Sequence, residues 1–144
     1  MVCEDILQHA ARNEVQIYTS TYTIAEVIRP KTKSIATARR LTTEEIEKIR
    51  GIFRWPFITT IELDERTALF ASDLARDYGF QPADAVQAAS AILWKLDALQ
   101  AWDRDFSAVS DKIRVETPVV ISKQRNLEGL GPDQIGPTPE DFGA

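Results

Sequence analysis

Histidine and cysteine, which supply most zinc sites and many nucleophilic catalytic sites, are almost absent from this sequence. Its 144 residues include one cysteine, Cys3, and one histidine, His9. A single cysteine excludes an intrachain disulfide, so nothing points to an oxidising compartment. No nucleophile for His9 and no histidine partner for Cys3 is evident, so we expect an inert thiol and an ordinary surface or boundary histidine. The sequence also lacks a glycine-rich phosphate loop and zinc-ligand spacing.

Long apolar runs are missing as well. No run approaches the roughly 18 residues that a membrane span needs. The N-terminus lacks the basic stretch and apolar core of a signal peptide. We therefore expect a cytoplasmic protein without membrane contact. The chain is long enough for one domain, and its composition, 44% hydrophobic and 27% charged, is that of a globular protein.

Basic residues are fewer than acidic ones: the chain has 17 lysines and arginines and 22 aspartates and glutamates, and its net charge is −5. This balance argues against a protein that coats nucleic acid through a generally basic surface, but it leaves room for a local basic patch. One segment, residues 29–40, contains five basic residues and no acid. It could hold an RNA backbone or be only a solvated loop. The five residues are Arg29, Lys31, Lys33, Arg39 and Arg40.

The apolar pattern alternates between short β-prone runs and amphipathic helices, which predicts an α/β protein with a mostly parallel sheet. Residues 122–144 hold four of the six glycines and three of the seven prolines, and we interpret them as a C-terminal tail after a domain at residues 1–121. Helices are predicted at about residues 4–13, 23–28, 42–53, 64–78 and 82–96, and strands at 15–20, 56–63, 98–102 and within 113–121.

Local signals mark several of these helix ends. Two Thr-x-x-Glu pairs have the spacing of a capping box, an aspartate precedes one helix, and a glycine and an asparagine follow others. The signals are the pairs Thr23–Glu26 and Thr42–Glu45, Asp64, Gly79 and Asn13.

Acidic residues occur where predicted strands give way to helices. Glu26 lies in the first turn after 15–20, Asp84 lies in the turn that Pro82 opens, and Asp103 follows 98–102. Sites in such folds form beyond the carboxyl ends of the strands. Clustered carboxylates are hard ligands for Mg²⁺ or Mn²⁺, which can activate water and stabilise a phosphate under attack. Each acid could instead be only a helix cap or a turn residue. Asp105 could orient Asp103 or cap the next turn.

Three segments in this order and spacing, STYTIAEV, PADAVQAASA and AWDRDF, resemble the PIN domain, in particular PIN proteins of the VapC toxin type. The resemblance covers about residues 4–121. It implies a three-layer α/β/α sandwich and a metal-dependent ribonuclease. The family's conserved acids match Glu26, Asp84 and Asp103 as catalytic metal ligands, and Asp105 matches a frequent but less essential acid. The resemblance also implies an RNA substrate, a small antitoxin partner and a possible homodimer.

The sequence departs from this family at three places. Gln87 stands where many relatives carry histidine, and Trp102 where many carry threonine or serine. PIN proteins also open with a β-strand that ends in an aspartate and is followed by a helix. Here residues 4–13 look like that helix, and Asp5 lies within it. We therefore expect an N-terminally truncated PIN-like domain that lacks this strand and one of the usual four acids.

The expected truncation has a structural consequence. The family's strand order, 3-2-1-4-5, would place 15–20 and 98–102 on either side of the opening strand. We expect a slot between them, about twice the usual 4.8 Å spacing, rather than direct pairing. We also expect weak or absent RNA cleavage by the 144-residue chain.

These observations are compatible with three hypotheses of function. The first is a Mg²⁺-dependent endoribonuclease, the toxin of a toxin–antitoxin pair. The second is a catalytically inactive PIN-like domain that binds RNA or protein. The third is a fragment of an active nuclease.

Overall fold

The computed structural model describes residues 2–29 and 40–121. Lys31, Lys33, Arg39 and the tail predicted at 122–144 lie outside them. In chain order, the elements are α1 (Val2–Ala11), β1 (Ile17–Ser20), α2 (Tyr22–Glu26), α3 (Thr43–Ile52), β2 (Ile58–Ile61), α4 (Glu65–Tyr78), α5 (Pro82–Leu93), β3 (Leu99–Gln100), a 3₁₀ helix (Arg104–Val109) and β4 (Val115–Glu116). This alternation of helices with short parallel strands confirms the predicted α/β class.

The strands form two parallel pairs. β1 pairs with β2, with Ile17 opposite Ile58, and β3 pairs with β4, with Leu99 opposite Val115. No ladder joins β1 to β3 in the described part of the chain. The described residues therefore show no direct pairing of 15–20 with 98–102, and the slot of twice the usual spacing stays a prediction.

At the edge of β1 that faces away from β2, the described residues supply no strand to accept the backbone hydrogen bonds. The N–H groups of Ile17 and Thr21 donate to carbonyls on the β2 side, at 3.3 and 2.9 Å. Because N–H groups alternate in direction along a strand, those of Tyr18 and Ser20 point to the opposite edge. Ser20 is fully buried, so water does not reach this edge of β1 at Ser20.

β3 has a matching edge. Leu99 and Ala101 donate their N–H groups to the β4 side, at 2.8 and 3.1 Å. By the same alternation, the N–H group of Gln100 points away from β4. β1 and β3 therefore each present one edge for which the described residues supply no strand.

Most helix ends form as their local signals predict. Thr42 and Glu45 make a complete capping box at the start of α3. The Asp64 side chain accepts a hydrogen bond from the Thr67 N–H at 2.8 Å and caps α4. Gly79 ends α4 with a φ of 73°, a left-handed conformation that glycine adopts without steric cost. Asn13 follows α1 with a φ of 60°.

The capping box predicted at Thr23 and Glu26 is wrong. α2 begins earlier, with Thr21 as its N-cap and no side-chain cap. The Thr23 hydroxyl instead bonds the Thr19 hydroxyl at 2.9 Å. A contact with the end of β1 thus occupies the oxygen that a cap would need.

Some elements are shorter than predicted. α5 ends at Leu93 rather than near residue 96, because the next residues turn and Lys95 adopts a φ of 51°. β3 and β4 have two residues each.

The core lies between α4, α5 and the chain around the 3₁₀ helix. Ala88 and Ala89 are fully buried, and their small side chains let α5 approach its neighbours closely. Phe80 and Phe106 pack with ring centroids 5.7 Å apart and connect the loop before α5 to the 3₁₀ helix. The other buried members of this cluster are Ala71, Leu74, Ala85, Val86, Ala91, Val109 and Ile113.

His9 is more buried than an ordinary surface residue, with 11% of its side chain exposed. It bonds the Glu14 carboxylate and lies 3.6 Å from Asp5. The hydrogen bond with His9, followed by one from Arg12, lowers the pKa of Glu14 below its ordinary value. His9 therefore joins α1 to the loop that follows it. Cys3 is exposed as a free thiol. None of the helices described has the length and apolar character needed to cross a membrane.

Candidate metal and nucleic-acid site

Asp84 is placed by the start of α5. Gln81 is the N-cap, Pro82 is the first helical residue, and Asp84 therefore lies in the first turn. Proline suits this position because its missing N–H would have no partner inside the helix. The following residues, Ala85 and Val86, are buried in the core. Because these residues are anchored in the core, the half-buried Asp84 side chain is fixed at the start of α5.

Asp103 and Asp105 are placed by the 3₁₀ helix that follows β3. Asp103 is its N-cap, and its Oδ1 accepts a hydrogen bond from the Asp105 N–H at 2.9 Å. Asp103 is thus the capping residue of this turn, and Asp105 supplies the N–H rather than the cap. Phe106 and Val109 bury the same helix in the core against α5. Shared packing therefore brings the two acids toward Asp84.

The electrostatics show that these acids interact. Burial raises the pKa of Asp84 above its ordinary value, and the charges of Asp103 and Asp105 raise it further. Negative charges near Asp84 disfavour its ionised form, and a cation beside them would relieve the repulsion.

Glu26 is the last residue of α2 and is half-buried. It is not among the groups that shift the pKa of Asp84. A polar link nevertheless joins its helix to α5, because the Gln87 Nε2 donates to the Thr23 hydroxyl oxygen at 2.5 Å. Thr23 lies three residues before Glu26, and Gln87 lies three residues after Asp84. The link therefore connects the turns that carry the two acids, and convergence of Glu26 with Asp84 and Asp103 stays a prediction.

The sequence did not reveal this link, because Thr23 has the spacing of a helix cap and Gln87 stands out only as a departure from a family pattern. A threonine and a glutamine 64 residues apart carry no local signal of contact.

The donor chemistry suits a hard divalent cation. Asp84, Asp103 and Asp105 offer carboxylate oxygens, the preferred ligands of Mg²⁺ and Mn²⁺. Within residues 2–29 and 40–121, no three acidic, histidine or cysteine side chains are close enough to enclose a metal ion. Of the predicted RNA-binding residues, Arg29 and Arg40 are described, and both are exposed.

Comparison with known proteins gives one positive result. No curated protein matches the chain. A family model, that of the PIN domain, matches residues 1–112, which is most of the chain. PIN domains are nuclease domains that generally use divalent metal ions and bind RNA or DNA. The fold, the acids at the start of α5 and after β3, and this match agree, and the chain belongs to the PIN domain family.

Proposed function

We propose that this protein is a Mg²⁺-dependent endoribonuclease of the VapC type, the toxin of a toxin–antitoxin pair. The observation that carries the proposal is the packing of the 3₁₀ helix against α5, which brings Asp103 and Asp105 toward the half-buried Asp84 in a chain that the PIN domain model matches. The burial of Asp84 and the charges of its two neighbours raise its pKa, which agrees with this placement. A carboxylate held partly desolvated beside two others costs stability, which a structural role alone does not require. A cation bound beside these carboxylates would offset that cost, so the arrangement is typical of a functional site.

The proposal assigns each acid a role. Asp84, Asp103 and Glu26 would hold the metal, Mg²⁺ or Mn²⁺, with Asp105 beside them. When bound, the ion supplies an activated water and stabilises charge on the phosphate. The chain itself orients the acids. The hydrogen bond from the Asp105 N–H fixes Asp103, and the Gln87–Thr23 link holds α2 against α5. Such supporting contacts tune metal affinity in other proteins by about 10–100-fold.

Substrate and partner assignments extend this proposal. Arg29 and Arg40 are exposed at the two ends of the basic segment and could hold the RNA backbone, together with Lys31, Lys33 and Arg39, which lie outside the described residues. The resemblance to VapC-type toxins supports a small antitoxin partner and a possible homodimer. We expect a short open reading frame beside the gene whose product co-purifies with this chain, and a solitary gene would count against a toxin role.

Replacing Asp84 by asparagine tests the proposed activity. Asp84→Asn keeps the shape of the side chain but removes one metal-binding charge. We expect it to lower Mg²⁺-dependent RNA cleavage at least about tenfold, since even supporting contacts to metal ligands cost that much. The measurement is the cleavage rate of a labelled RNA with Mg²⁺ and with a chelator.

Asp73→Asn provides the matched control. Asp73 lies on α4, is about half exposed and pairs with Arg76 at 3.3 Å. The same chemical change there should leave cleavage unchanged. A Mg²⁺-dependent rate that Asp84→Asn does not alter would contradict the role of Asp84 as a metal ligand. RNA binding with no cleavage, even by a chain extended at its N-terminus by a β-strand that ends in an aspartate, would favour the inactive binding domain instead.

A further inference from the structure

A cavity of about 250 Å³ lies between the end of α5 and the start of β4. Three basic side chains, those of Lys95, Lys112 and Arg114, line it together with one acidic side chain, that of Asp97. The positive charge of this lining is opposite in sign to the net charge of the chain, −5, so an anion is the ligand that it favours. Drug-sized ligands occupy pockets of about 300–1,000 Å³, and the cavity therefore suits a smaller group.

The backbone at Lys95 is a second, independent observation. Its N–H donates to the Ile92 carbonyl at 3.0 Å, and the Leu96 N–H donates to the carbonyl three residues before Trp94 at 3.1 Å, which are the hydrogen bonds of a Schellman motif. Lys95 occupies the left-handed position of this motif, with a φ of 51°. Glycine suits that position, because any side chain there costs free energy, and Gly79 takes the left-handed position that ends α4. A lysine at a strained position indicates a use for its side chain.

The ion pairs of these basic residues do not neutralise them closely. No acidic side chain of the described residues pairs with Lys95. The Lys112 Nζ lies 3.8 Å from an Asp111 carboxylate oxygen, and the Arg114 Nε lies 3.5 Å from a Glu116 carboxylate oxygen. Both separations exceed the roughly 2.7–2.9 Å of a charge-assisted hydrogen bond. An anion in the cavity would therefore approach these cations more closely than the two acids do.

The cavity lies at the end of the molecule opposite to the candidate metal site. At about 1.5 Å per residue, the helix from Asp84 to Leu93 is about 14 Å long, and the cavity begins beyond its last turn. Arg114 precedes β4, whereas Asp103 follows β3, and these strands are parallel. The basic residues are thus at the amino ends of the strands and the acids at the carboxyl ends. An anion in this cavity would not contact the acids.

We propose that this cavity is a phosphate-binding site, in which the ammonium groups of Lys95 and Lys112 and the guanidinium group of Arg114 hold one phosphate group. Phosphate is a small anion with several acceptor oxygens, so it can accept hydrogen bonds from all three cations at once. The phosphate group belongs to a small phosphate compound, such as a nucleotide, or to the backbone of an RNA strand, and both present the same chemistry. The site goes beyond the proposed nuclease centre and does not depend on it.

The test is a titration of the isotope-labelled chain with inorganic phosphate, followed by NMR through the backbone N–H signals of residues 95–97 and 112–114. We expect saturable shifts at these signals, which sodium chloride at the same ionic strength does not reproduce. Lys112→Gln should weaken phosphate binding about tenfold, the lower end of the range for hydrogen bonds to charged groups. Lys48→Gln is the matched control, because Lys48 lies on α3, pairs with Glu44 at 2.9 Å and does not line the cavity, and it should bind phosphate normally.

Lys95→Gly separates phosphate binding from a role of Lys95 in the helix alone, where its charge favours the negative end of α5. Glycine adopts the left-handed conformation without steric cost, so we expect this variant to melt no lower than the unmodified chain and yet to bind phosphate about tenfold more weakly. Lys95→Arg keeps the charge and should retain most of the affinity. The NMR spectra and thermal melts establish that each variant is folded. Unchanged phosphate affinity in Lys95→Gly or in Lys112→Gln overturns the proposal.

A nucleoside monophosphate and an RNA oligonucleotide, both titrated in a metal chelator, distinguish the two sources of the phosphate. A tenfold loss of oligonucleotide affinity in Lys112→Gln identifies the RNA backbone. An unchanged oligonucleotide affinity with a weakened mononucleotide identifies a small phosphate compound. Asp84→Asn should bind inorganic phosphate as the unmodified chain does, so loss of the nuclease function and loss of the phosphate site are distinguishable. No saturable shift at the cavity, or equal shifts caused by chloride, overturns the proposal.

Discussion

A chain extended at its N-terminus by a β-strand that ends in an aspartate is expected to cleave RNA at least about 100-fold faster than the 144-residue chain. The added aspartate would supply the fourth acid implied by the PIN family pattern. Loss of a contact that only supports a metal ligand costs about 10–100-fold, and a ligand itself should be worth at least as much. The measurement is Mg²⁺-dependent cleavage of one labelled RNA by both chains.

The sheet explains why the added strand should bind where the acids are. β1 and β3 each present an edge without a partner strand among the described residues, through the N–H groups of Tyr18, Ser20 and Gln100. Two-stranded sheets are marginally stable by themselves. A strand between them would join the two pairs into one sheet. It would also end near Asp84 and Asp103, since parallel strands share a carboxyl edge.

An extension that ends in asparagine instead of aspartate distinguishes the effect of completing the sheet from the effect of the added carboxylate. It should raise the melting temperature as much as the aspartate version, because both complete the sheet, but it should not restore cleavage. Equal cleavage by the 144-residue chain and the aspartate-extended chain would show that the acids already present suffice. No gain in melting temperature from either extension would show that β1 and β3 do not accept a strand.

Replacing Leu74 by alanine is expected to lower the free energy of unfolding by about 2–5 kcal/mol. Leu74 is 2% exposed on α4 and belongs to the cluster that packs α4 and α5 together. Removing its side chain leaves a cavity that the surrounding helices fill only in part. Because α5 carries Asp84, we also expect this variant to lose activity at temperatures where the unmodified chain is active. Urea denaturation followed by circular dichroism measures the change.

Leu69→Ala is the matched control on the same helix. Leu69 is 61% exposed, so its removal should change the free energy of unfolding by less than about 0.5 kcal/mol. Equal losses at both positions would mean that α4 does not pack on α5 through the face that contains Leu74.

Features encoded by neighbouring residues could be predicted from the sequence. The Thr42–Glu45 capping box, the Asp64 cap and the left-handed Gly79 all form as their local chemistry indicates. The pairing of strands was predicted from family resemblance rather than from local pattern. The two acid positions, at the start of α5 and after β3, followed from the general placement of sites in parallel sheets.

Features that depend on distant partners could not be predicted. Thr23 has the spacing of a cap, but its hydroxyl is occupied by Thr19 and by Gln87, 64 residues away. The burial of His9 depends on the loop after α1 returning to place Glu14 beside it. The effect of the Asp103 charge on the pKa of Asp84 likewise arises from packing of the 3₁₀ helix against α5, which neither acid reveals in its own segment.

The claim that Asp84, Asp103 and Glu26 hold one divalent cation is tested most directly by an anomalous difference map from crystals of this chain grown in saturating Mn²⁺. We predict one strong peak within coordination distance of the Asp84 and Asp103 carboxylates, with the Glu26 carboxylate facing it directly or through a water molecule. A map with no peak beside Asp84, or one in which Glu26 points away from the other two acids across the sheet, would contradict the account.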